Sequence, residues 1–482
     1  MNFGVLRFFW YFRKKRFAHA LAALPPGVES ALAWQHYAFY RLGMYRSVAY
    51  CEPVYNSWRS LFAVIVSKAA CGERDRVDTL LRNPQILRLL KPKMESLASA
   101  LLAFYPDFSI RILSQQRSSV LQVAACMRIG DTVNAKAHLK ASMANAERDS
   151  EVFLHRSNVL RLPPTEQLIA LNKFLQANNV APIALNNESL PVGAMNLRPT
   201  GVLPFVKGPL VSVVMTAFQS ADRILFSIES LLNQTYQNIE VIVVDDASYD
   251  ETRQVVEKLA SEDPRVRYVR LPLNVGTYVA KSIGVHLTNG DFVTCQDSDD
   301  WAHPQKIYLQ MAPILADEHV MFTVSNLIRV QDDGVFYARS VFPLTRINHS
   351  SVLFRKDIVF RMTGFWDLVR TGADSEFLAR LKLVFGKRSM RRLSQPLSIC
   401  AHRENSLMTA PATGYDKSGK SNARLDYWEY FSKWHVDSLR QGAVIRFCNN
   451  RHLKRPFPVP DEIAVHPADI ENCMRIFGLS KL

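Results

Sequence analysis

The fold is decided by the stretch Val241-Ile242-Val243-Val244-Asp245-Asp246, in which an apolar run ends in two carboxylates. A second acidic cluster, Asp297-Ser298-Asp299-Asp300, follows another short apolar run. A buried strand that ends in carboxylates places them at the carboxyl edge of a parallel sheet, where open α/β folds bind ligands. Asp-x-Asp at that edge can hold a hard divalent cation, which in turn can hold a diphosphate. The two stretches therefore predict a metal-assisted site for a nucleotide-diphosphate compound.

Strand-like and helical patterns alternate on both sides of these stretches. The patterns predict strands at residues 211–215, 240–244, 266–271 and 291–295, with helices at residues 223–232, 250–259 and 277–287. Alternation at this pace is typical of parallel strands with helices on both faces of the sheet.

The remaining regions of the chain have different patterns. Residues 1–190 show helical spacing of apolar side chains, which predicts an all-helical domain. Gly43, Gly72 and Gly130 lie between helical stretches, and the second interval is twice the first, which suggests helical hairpin repeats. A plain helical bundle explains the same glycines. The pattern then predicts a linker at 191–208, the α/β domain at 209–435 and a basic C-terminal tail at 436–482.

Composition limits the classes of partner. The chain has 482 residues and a formal net charge of +15, which favours an anionic partner: a phosphorylated substrate, a nucleic acid or an anionic membrane. No nucleic-acid-binding module is recognisable, so we expect no nucleic acid partner. The seven cysteines are scattered, which argues against a disulfide framework and fits a reducing compartment.

The N-terminus mixes aromatic and basic residues. Residues 6–17 read Leu-Arg-Phe-Phe-Trp-Tyr-Phe-Arg-Lys-Lys-Arg-Phe. Such a run suits the interface of an anionic membrane. It equally suits a first amphipathic helix that packs its rings on the next helix, and both interpretations stay open. No run of eighteen apolar residues occurs, so we expect no membrane-spanning helix.

Several motifs together resemble the family-2 glycosyltransferases. They are Val211-Ser212-Val213-Val214-Met215-Thr216-Ala217-Phe218, Val243-Val244-Asp245-Asp246-Ala247-Ser248, Asn274-Val275-Gly276 and Asp297-Ser298-Asp299-Asp300, in the family's order. The resemblance implies a GT-A fold, that is, a Rossmann-like α/β domain of nucleotide-diphospho-sugar transferases. It also implies transfer of a sugar from a nucleotide diphosphate to an acceptor hydroxyl group.

The resemblance assigns the donor-binding residues. It implies a nucleotide-sugar site formed by Thr216, Ala217, Phe218, Asp246, Gly276, Lys281, Asp297 and Asp300. The first three would line the base pocket, and Asp246 would accept a hydrogen bond from the imide N–H of a uracil, since a carboxylate is an acceptor only. Asp299 would contact Mn²⁺ or Mg²⁺, and His402 would reach the metal or the diphosphate.

A later motif supplies the candidate base. In Ala373-Asp374-Ser375-Glu376 the family often has an acid where this chain has Ala373. Asp374 would act as the general base that takes the acceptor proton, with Glu376 as the alternative base or as a residue that orients the acceptor. A helix N-cap is a second role for Asp374 that is compatible with catalysis.

The resemblance, together with the positive charge of the chain, implies an inverting, metal-dependent glycosyltransferase that uses a UDP-sugar and a glycan or glycolipid acceptor in cell-surface polysaccharide synthesis, such as lipopolysaccharide or capsule. We expect a cytoplasmic protein, peripheral on the inner face of the membrane, with a protein partner at the helical domain. The alternative is a non-catalytic helical-repeat scaffold that carries a degenerate transferase domain. A dinucleotide-binding oxidoreductase is disfavoured because residues 216–220 contain no glycine.

Overall fold

The apolar runs of the central region become strands in the computed structural model of the protein. The structure describes residues 3–25, 27–114, 116–201, 203–403, 406–411, 413–415, 421–447 and 455–479. The strands in these residues are β1 (Ile183–Leu185), β2 (Leu197–Pro199), β3 (Val211–Ala217), β4 (Ile239–Asp245), β5 (Val266–Arg270), β6 (Phe292–Asp297), β7 (Trp301–Ala302), β8 (Phe322–Val330), β9 (Phe336–Tyr337), β10 (Arg346–Ile347), β11 (Leu353–Arg355) and β12 (Met390–Ala401).

All but the first two strands form one mixed sheet. Its order is β5-β4-β3-β6-β11-β8-β12-β7, and β9 and β10 pair with β8. Strands β5, β4, β3 and β6 are parallel, whereas β11 runs antiparallel to both β6 and β8. The predicted parallel α/β domain is confirmed, and its sheet continues into a mixed half, as expected of a GT-A fold.

Helices cover both faces of this sheet. Within the described residues they are α14 (Ile224–Leu232), α15 (Thr252–Glu262), α16 (Thr277–His286), α17 (Lys306–Ala316), α18 (Lys356–Thr363), α19 (Ala373–Phe385), α20 (Asn422–Gln441) and α21 (Pro467–Ile476) in chain order. Every residue of β3 and β4 is buried, which explains why their sequences are mostly apolar. Val214 packs on one face with Ile283 of α16, and Val213 packs on the other with Ile228 of α14.

The N-terminal region is helical, as predicted, up to Ala177, whereas β1 lies inside the range 1–190 that the sequence predicted to be all-helical. Its helices in the described residues are α1 (Phe3–Arg13), α2 (Phe17–Ala23), α3 (Leu32–Arg41), α4 (Tyr45–Ala49), α5 (Trp58–Cys71), α6 (Arg74–Arg82), α7 (Pro84–Leu90), α8 (Met94–Leu101), α9 (Pro106–Leu113), α10 (Val120–Ile129), α11 (Thr132–Ser142), α12 (Glu151–Leu160) and α13 (Pro164–Ala177). Gly72 and Gly130 follow α5 and α10 with φ of 91° and 81°, a backbone conformation that favours glycine. These glycines mark helix ends, and the repeat hypothesis stays a prediction.

The helical region packs directly on the sheet. Phe174 of α13 shares a buried cluster with Trp301 and Ile399. The carboxylate of Glu151 accepts the backbone N–H groups of Leu344 and Thr345 at 2.7 and 2.8 Å. The helical and α/β regions are therefore joined by a buried interface.

Two predicted boundaries fall within ordered structure. The predicted linker contains β2, and the side chain of Asn196 donates to the carbonyl groups of Asn187, Leu190 and Pro191, which folds this segment on itself. The predicted boundary at residue 435 falls inside α20. Ile463 and Cys473, placed by the sequence in a tail, lie in the main core with no exposed surface. Parts of that tail, 448–454 and 480–482, lie outside the described residues.

Among the helices of the described residues, none combines the length and the apolarity needed to cross a bilayer.

Candidate active site

The carboxyl ends of β3, β4 and β6 lie side by side. In the parallel register Ala217 pairs with Asp245 and Thr216 pairs with Asp297. The two acidic stretches are therefore neighbours at the edge where open α/β sheets bind ligands, as the sequence predicts.

The loops that follow these strands are tied to one another. The backbone N–H of Gln219 donates to Ser248 Oγ at 3.0 Å, and the hydroxyl groups of Ser220 and Ser298 lie 2.8 Å apart. Gln219 and Ala247 have φ of 53° and 62°, which is uncommon for residues other than glycine. Such strained backbone persists where the surroundings hold it, and it concentrates at functional sites.

Asp246 holds the loop that precedes α16. Its two oxygens accept the backbone N–H groups of Val275 and Gly276, both at 2.8 Å, and its side chain is buried. Burial raises the pKa of Asp246 to about 6, although these two N–H groups favour the charged form. Gly276 has φ of 84°, and a Cβ there would lie 2.9 Å from the Cα of Arg370. Asp246 thus positions the loop with one bond on each oxygen, and each oxygen retains one further acceptor position.

Thr216, Ala217 and Phe218 differ in exposure. Thr216 is buried and its hydroxyl lies 2.8 Å from that of Thr277, while Ala217 is also buried. Phe218 is 42% exposed, and its ring packs edge-on against Tyr249, which is 84% exposed. Sequence analysis did not propose Tyr249 as a site residue. The only sign of such a role was its position two residues after Ala247, in an acidic loop. The two exposed rings form an apolar surface at the edge of the sheet.

Lys281 is buried at the base of this edge. Its Nζ lies 3.0 Å from Asp297 Oδ1, and only 2% of the lysine side chain is exposed. Burial alone would lower the pKa of Lys281, but the negative charge of Asp297, with a smaller contribution from Asp374, outweighs burial and raises it. Burial alone would raise the pKa of Asp297, and the charge of Lys281 instead lowers it. The two groups thus remain an ion pair at neutral pH.

Asp300 and Asp299 have different surroundings. Asp300 is buried and accepts the backbone N–H of Ala401 at 3.2 Å. Burial, followed by the negative charges of Asp299 and Asp297, raises the pKa of Asp300 to about 8. Its carboxyl group is therefore mainly protonated at neutral pH and faces the protein, which leaves it little surface for a sugar. Asp299 instead accepts a hydrogen bond from Arg403 Nε at 2.9 Å.

Sequence analysis did not propose Arg329 as a site residue, because nothing in its position within β8 distinguishes it from other strand residues. Burial would lower the pKa of Arg329, but the nearby acidic groups, among them the carboxylates of Asp297 and Asp299, outweigh burial and raise it. Arg329 therefore supplies positive charge beneath residues 297–300, which we call the acidic turn.

His402 lies beside Tyr337 at the end of β12. The two rings stack with centroids 3.6 Å apart and an angle of 8° between their planes. Burial, and then the positive charge of Arg329, lower the pKa of His402, so the imidazole is neutral at pH 7. No described contact joins His402 to Asp299, and the predicted metal pair stays a prediction.

The acidic turn fits a divalent ion only in part. Among the residues that the structure describes, no group of three or more His, Cys, Asp or Glu could hold a metal by itself. Mg²⁺ and similar hard ions are commonly held by one or two carboxylates together with substrate phosphates. Asp299 fits this arrangement, because Arg403 donates to Oδ2 and Oδ1 keeps its lone pairs.

Asp374 lies in the first turn of α19, half-buried, after Gly372 with φ of 94°. Its Oδ1 accepts the backbone N–H of Ser375 at 2.7 Å. Its negative charge also raises the pKa of Lys281 and, after burial, that of Tyr278. Asp374 therefore lies within electrostatic reach of the same lysine that pairs with Asp297.

Glu376 does not line the site. Its carboxylate is fully buried and binds Arg380 at 2.7 and 2.9 Å and His435 at 3.0 Å. Burial would raise the pKa of Glu376, but Arg380 and His435 lower it. The predicted role of Glu376 as alternative base or acceptor-orienting residue is corrected: it anchors α19 to α20, since both oxygens are committed to buried cations.

An open depression of about 680 Å³ adjoins the acidic turn. Arg223, Asp332, His402 and Arg403 line it together with Asp222, Gln331, Asp333 and Thr409. Arg223 binds Asp332 through two hydrogen bonds of 2.8 and 3.1 Å. The walls of this depression come from sequence-distant segments and carry charges of both signs.

Comparison with known proteins finds a family match in the region of the sheet. The family model described as glycosyl transferase family 2 matches residues 212–376. WfaP of Escherichia coli, a UDP-Glc:alpha-D-GlcNAc-diphosphoundecaprenol beta-1,3-glucosyltransferase, is 33% identical over 130 residues, which cover 26% of this chain and 51% of WfaP. The succinoglycan biosynthesis protein ExoO of Rhizobium meliloti is 41% identical over 160 residues, 31% of this chain and 45% of ExoO. The chain thus spans about half the length of these curated relatives.

A solved structure of TarS from S. aureus in complex with UDP-GlcNAc is similar at 21% identity and a TM-score of 0.35. The match covers 41% of this chain and 59% of that chain.

Proposed function

Because residues 212–376 form a family-2 glycosyltransferase domain, we propose that the protein is an inverting glycosyltransferase that moves a sugar from a nucleotide diphosphate to a hydroxyl group of a glycan. One observation carries this proposal. The carboxyl ends of β3, β4 and β6 bring the two acidic stretches to one edge of the sheet, and the buried Lys281 pairs there with Asp297 at 3.0 Å. Carboxylates and a buried cation at this edge support a site for a nucleotide diphosphate.

The donor's diphosphate would lie over the acidic turn. Mn²⁺ or Mg²⁺, held by Asp299 and the donor phosphates, would neutralise negative charge on the departing nucleotide diphosphate. Arg403 lies beside Asp299 and can turn its guanidinium towards the phosphates, because an arginine fork matches phosphate oxygens. Lys281, fixed by Asp297, adds a positive charge that does not depend on pH in the neutral range.

Asp374 would accept the proton of the acceptor hydroxyl. As that oxygen forms its bond to the anomeric carbon, the bond from carbon to the phosphate oxygen breaks on the opposite face, so one displacement inverts the anomeric configuration. The backbone N–H of Ser375 donates to Asp374 Oδ1 at 2.7 Å, which fixes the orientation of the carboxylate at the start of α19.

A UDP-sugar is the proposed donor. Phe218 and Tyr249 offer exposed rings at the edge of the sheet, which suit stacking on a nucleotide base. Asp246 keeps one acceptor position on each oxygen for an imide N–H, in addition to its role in the loop. The similarity to WfaP, whose name gives UDP-Glc as its donor, also supports a UDP-sugar.

The acceptor is proposed to be a cell-surface glycan or glycolipid, such as lipopolysaccharide or capsule. The similarity to ExoO, a succinoglycan biosynthesis protein, supports polysaccharide synthesis as the setting. We place the reaction in the cytoplasm, because the few scattered cysteines fit a reducing compartment.

UDP with Mn²⁺ is expected to raise the thermal unfolding temperature of the full chain. A ligand that binds only the native state at about 100 times its Kd adds about 2.7 kcal/mol of stability. Asp299→Asn should lose the part of the shift that requires Mn²⁺, whereas Asp333→Asn, an exposed carboxylate on the rim of the depression, should keep it. Differential scanning fluorimetry with UDP, GDP and Mn²⁺, alone and combined, provides the measurement.

The second candidate function is a non-catalytic scaffold with a degenerate transferase domain. It is favoured by Ala373, which is fully buried where the family often has an acid. No shift with any nucleotide diphosphate would support the scaffold, and a shift with GDP alone would replace UDP as the proposed donor.

A further inference from the structure

Helix α1 has apolar side chains on two faces. Phe8 and Phe12 are buried against α2, α3 and Val436 of α20. Phe3, Leu6 and Trp10 face away and are 73%, 49% and 50% exposed. Spacings of three and four residues place these three side chains in one stripe along the helix. The folded chain therefore leaves an apolar stripe uncovered after α1 has packed.

Cations flank this stripe. Arg7, Arg13, Lys14 and Lys15 are all exposed, and no acidic residue precedes Glu29 in the sequence. The Nζ of Lys14 lies 4.0 Å from the centre of the Trp10 ring, and Arg7 lies over the Phe3 ring at 5.9 Å. The positive charges and the exposed rings thus form one surface.

A distant segment extends the positive charge. Lys387 Nζ donates to the carbonyl oxygen of Lys14 at 2.6 Å, although 373 residues separate the two in the sequence. Arg388 beside it is exposed. We call the exposed face of α1 together with Lys14, Lys15, Lys387 and Arg388 the basic aromatic surface.

We propose that the basic aromatic surface binds an anionic phospholipid bilayer, with α1 lying along the plane of the membrane. Tryptophan and phenylalanine side chains enter the boundary between headgroups and acyl chains, and clustered lysine and arginine attract anionic lipid. A complementary protein patch would have to combine acidic groups with an apolar groove, whereas an anionic bilayer supplies both at any point of its surface.

This surface lies away from the candidate active site. Lys387 precedes β12, and His402, which lines the depression, follows that strand. The ends of β12 pair with Phe322 and Val330, the two ends of β8, so at about 3.3 Å per residue of β8 they lie roughly 26 Å apart. A bilayer bound at the basic aromatic surface therefore leaves the donor site open.

Sedimentation of the full chain with lipid vesicles tests the proposal. Binding is expected to vesicles that contain about a third phosphatidylglycerol, to weaken as salt screens the charges, and to be weak with pure phosphatidylcholine. The double variants Leu6→Ser/Trp10→Ser and Lys14→Glu/Lys15→Glu should each bind about 10-fold or more weakly. Unchanged thermal unfolding would establish that these exposed substitutions leave the fold intact.

The matched control is Lys136→Glu/Lys140→Glu, which makes the same change of charge at exposed positions of α11. It should bind vesicles nearly as well as the wild type. If vesicle binding falls equally in the control and in the α1 variants, the proposal is overturned, because the binding would then depend on the net charge of the protein and not on this surface. Absence of wild-type binding to anionic vesicles would also overturn it and leave a protein partner as the occupant. Neither outcome bears on UDP binding, which tests the proposed function separately.

Discussion

Asp374→Asn is expected to lower the rate of donor hydrolysis by about 10²–10⁴-fold, the usual contribution of a general base. The amide keeps the size of the carboxylate but cannot take the proton of the attacking hydroxyl or water. Asp374 is not a proposed ligand of the metal or of the nucleotide, so the thermal shift with UDP and Mn²⁺ should persist. The rate is measured as UDP released from the donor, with water as the acceptor.

Asp357→Asn is the matched control for this variant. Asp357 is an exposed aspartate in the first turn of α18, so the substitution makes the same chemical change at the same kind of helix position. It should leave the hydrolysis rate unchanged. Wild-type turnover by Asp374→Asn would remove Asp374 as the base.

Glu376→Gln is expected to destabilise the fold by about 3–5 kcal/mol, because it leaves the buried guanidinium of Arg380 without its partner charge. His435 of α20 also loses a charged acceptor, so the contact between α19 and α20 weakens. The transition temperature should fall by several degrees in thermal unfolding. The donor site of the molecules that remain folded should bind UDP as before.

Glu257→Gln provides the comparison for this loss. Glu257 pairs with Arg253 across one turn of α15, at the same spacing as Glu376 and Arg380, but both side chains are about half exposed. Such surface pairs contribute about 0.3–0.5 kcal/mol. A Glu376→Gln protein with normal stability and lost turnover would return Glu376 to the list of candidate bases.

The parallel half of the sheet could be predicted from the sequence because its signals are local. Residues 211–215 and 240–244 are mostly apolar, as is typical of strands buried on both faces. Asp245 and Asp246, which follow the run at 240–244, then indicate that the site lies at the carboxyl edge of the sheet. The structure lengthens β3 to Ala217 and β4 to Asp245, which changes no assignment.

The partners of the acidic residues could not be predicted, because they come from distant segments. Arg403 reaches Asp299 across 104 positions of the sequence, and Lys281 is buried only because α16 packs against the sheet. Glu376 and Arg380 did carry a signal, since four residues separate them on a helix and such pairs attract. The burial that turns this pair into a structural anchor depends on α20.

The C-terminal region illustrates the same limit. Its basic composition and prolines suggested a tail from residue 436, yet Ile470, Cys473 and Met474, three and four residues apart on α21, place an apolar face against the main core. This spacing was visible in the sequence. The surface that receives the face exists only once α19 and the sheet have folded.

The anomeric configuration of the sugar released during donor hydrolysis tests the central claim most directly. A panel of α-linked UDP-sugars would be incubated with the full chain and Mn²⁺, without acceptor, and the product followed by NMR before it mutarotates. We predict that one donor releases the β-anomer, that release requires the divalent ion, and that Asp374→Asn abolishes it. Release of the α-anomer, or release that is unchanged in Asp374→Asn, would contradict a single displacement with Asp374 as its base.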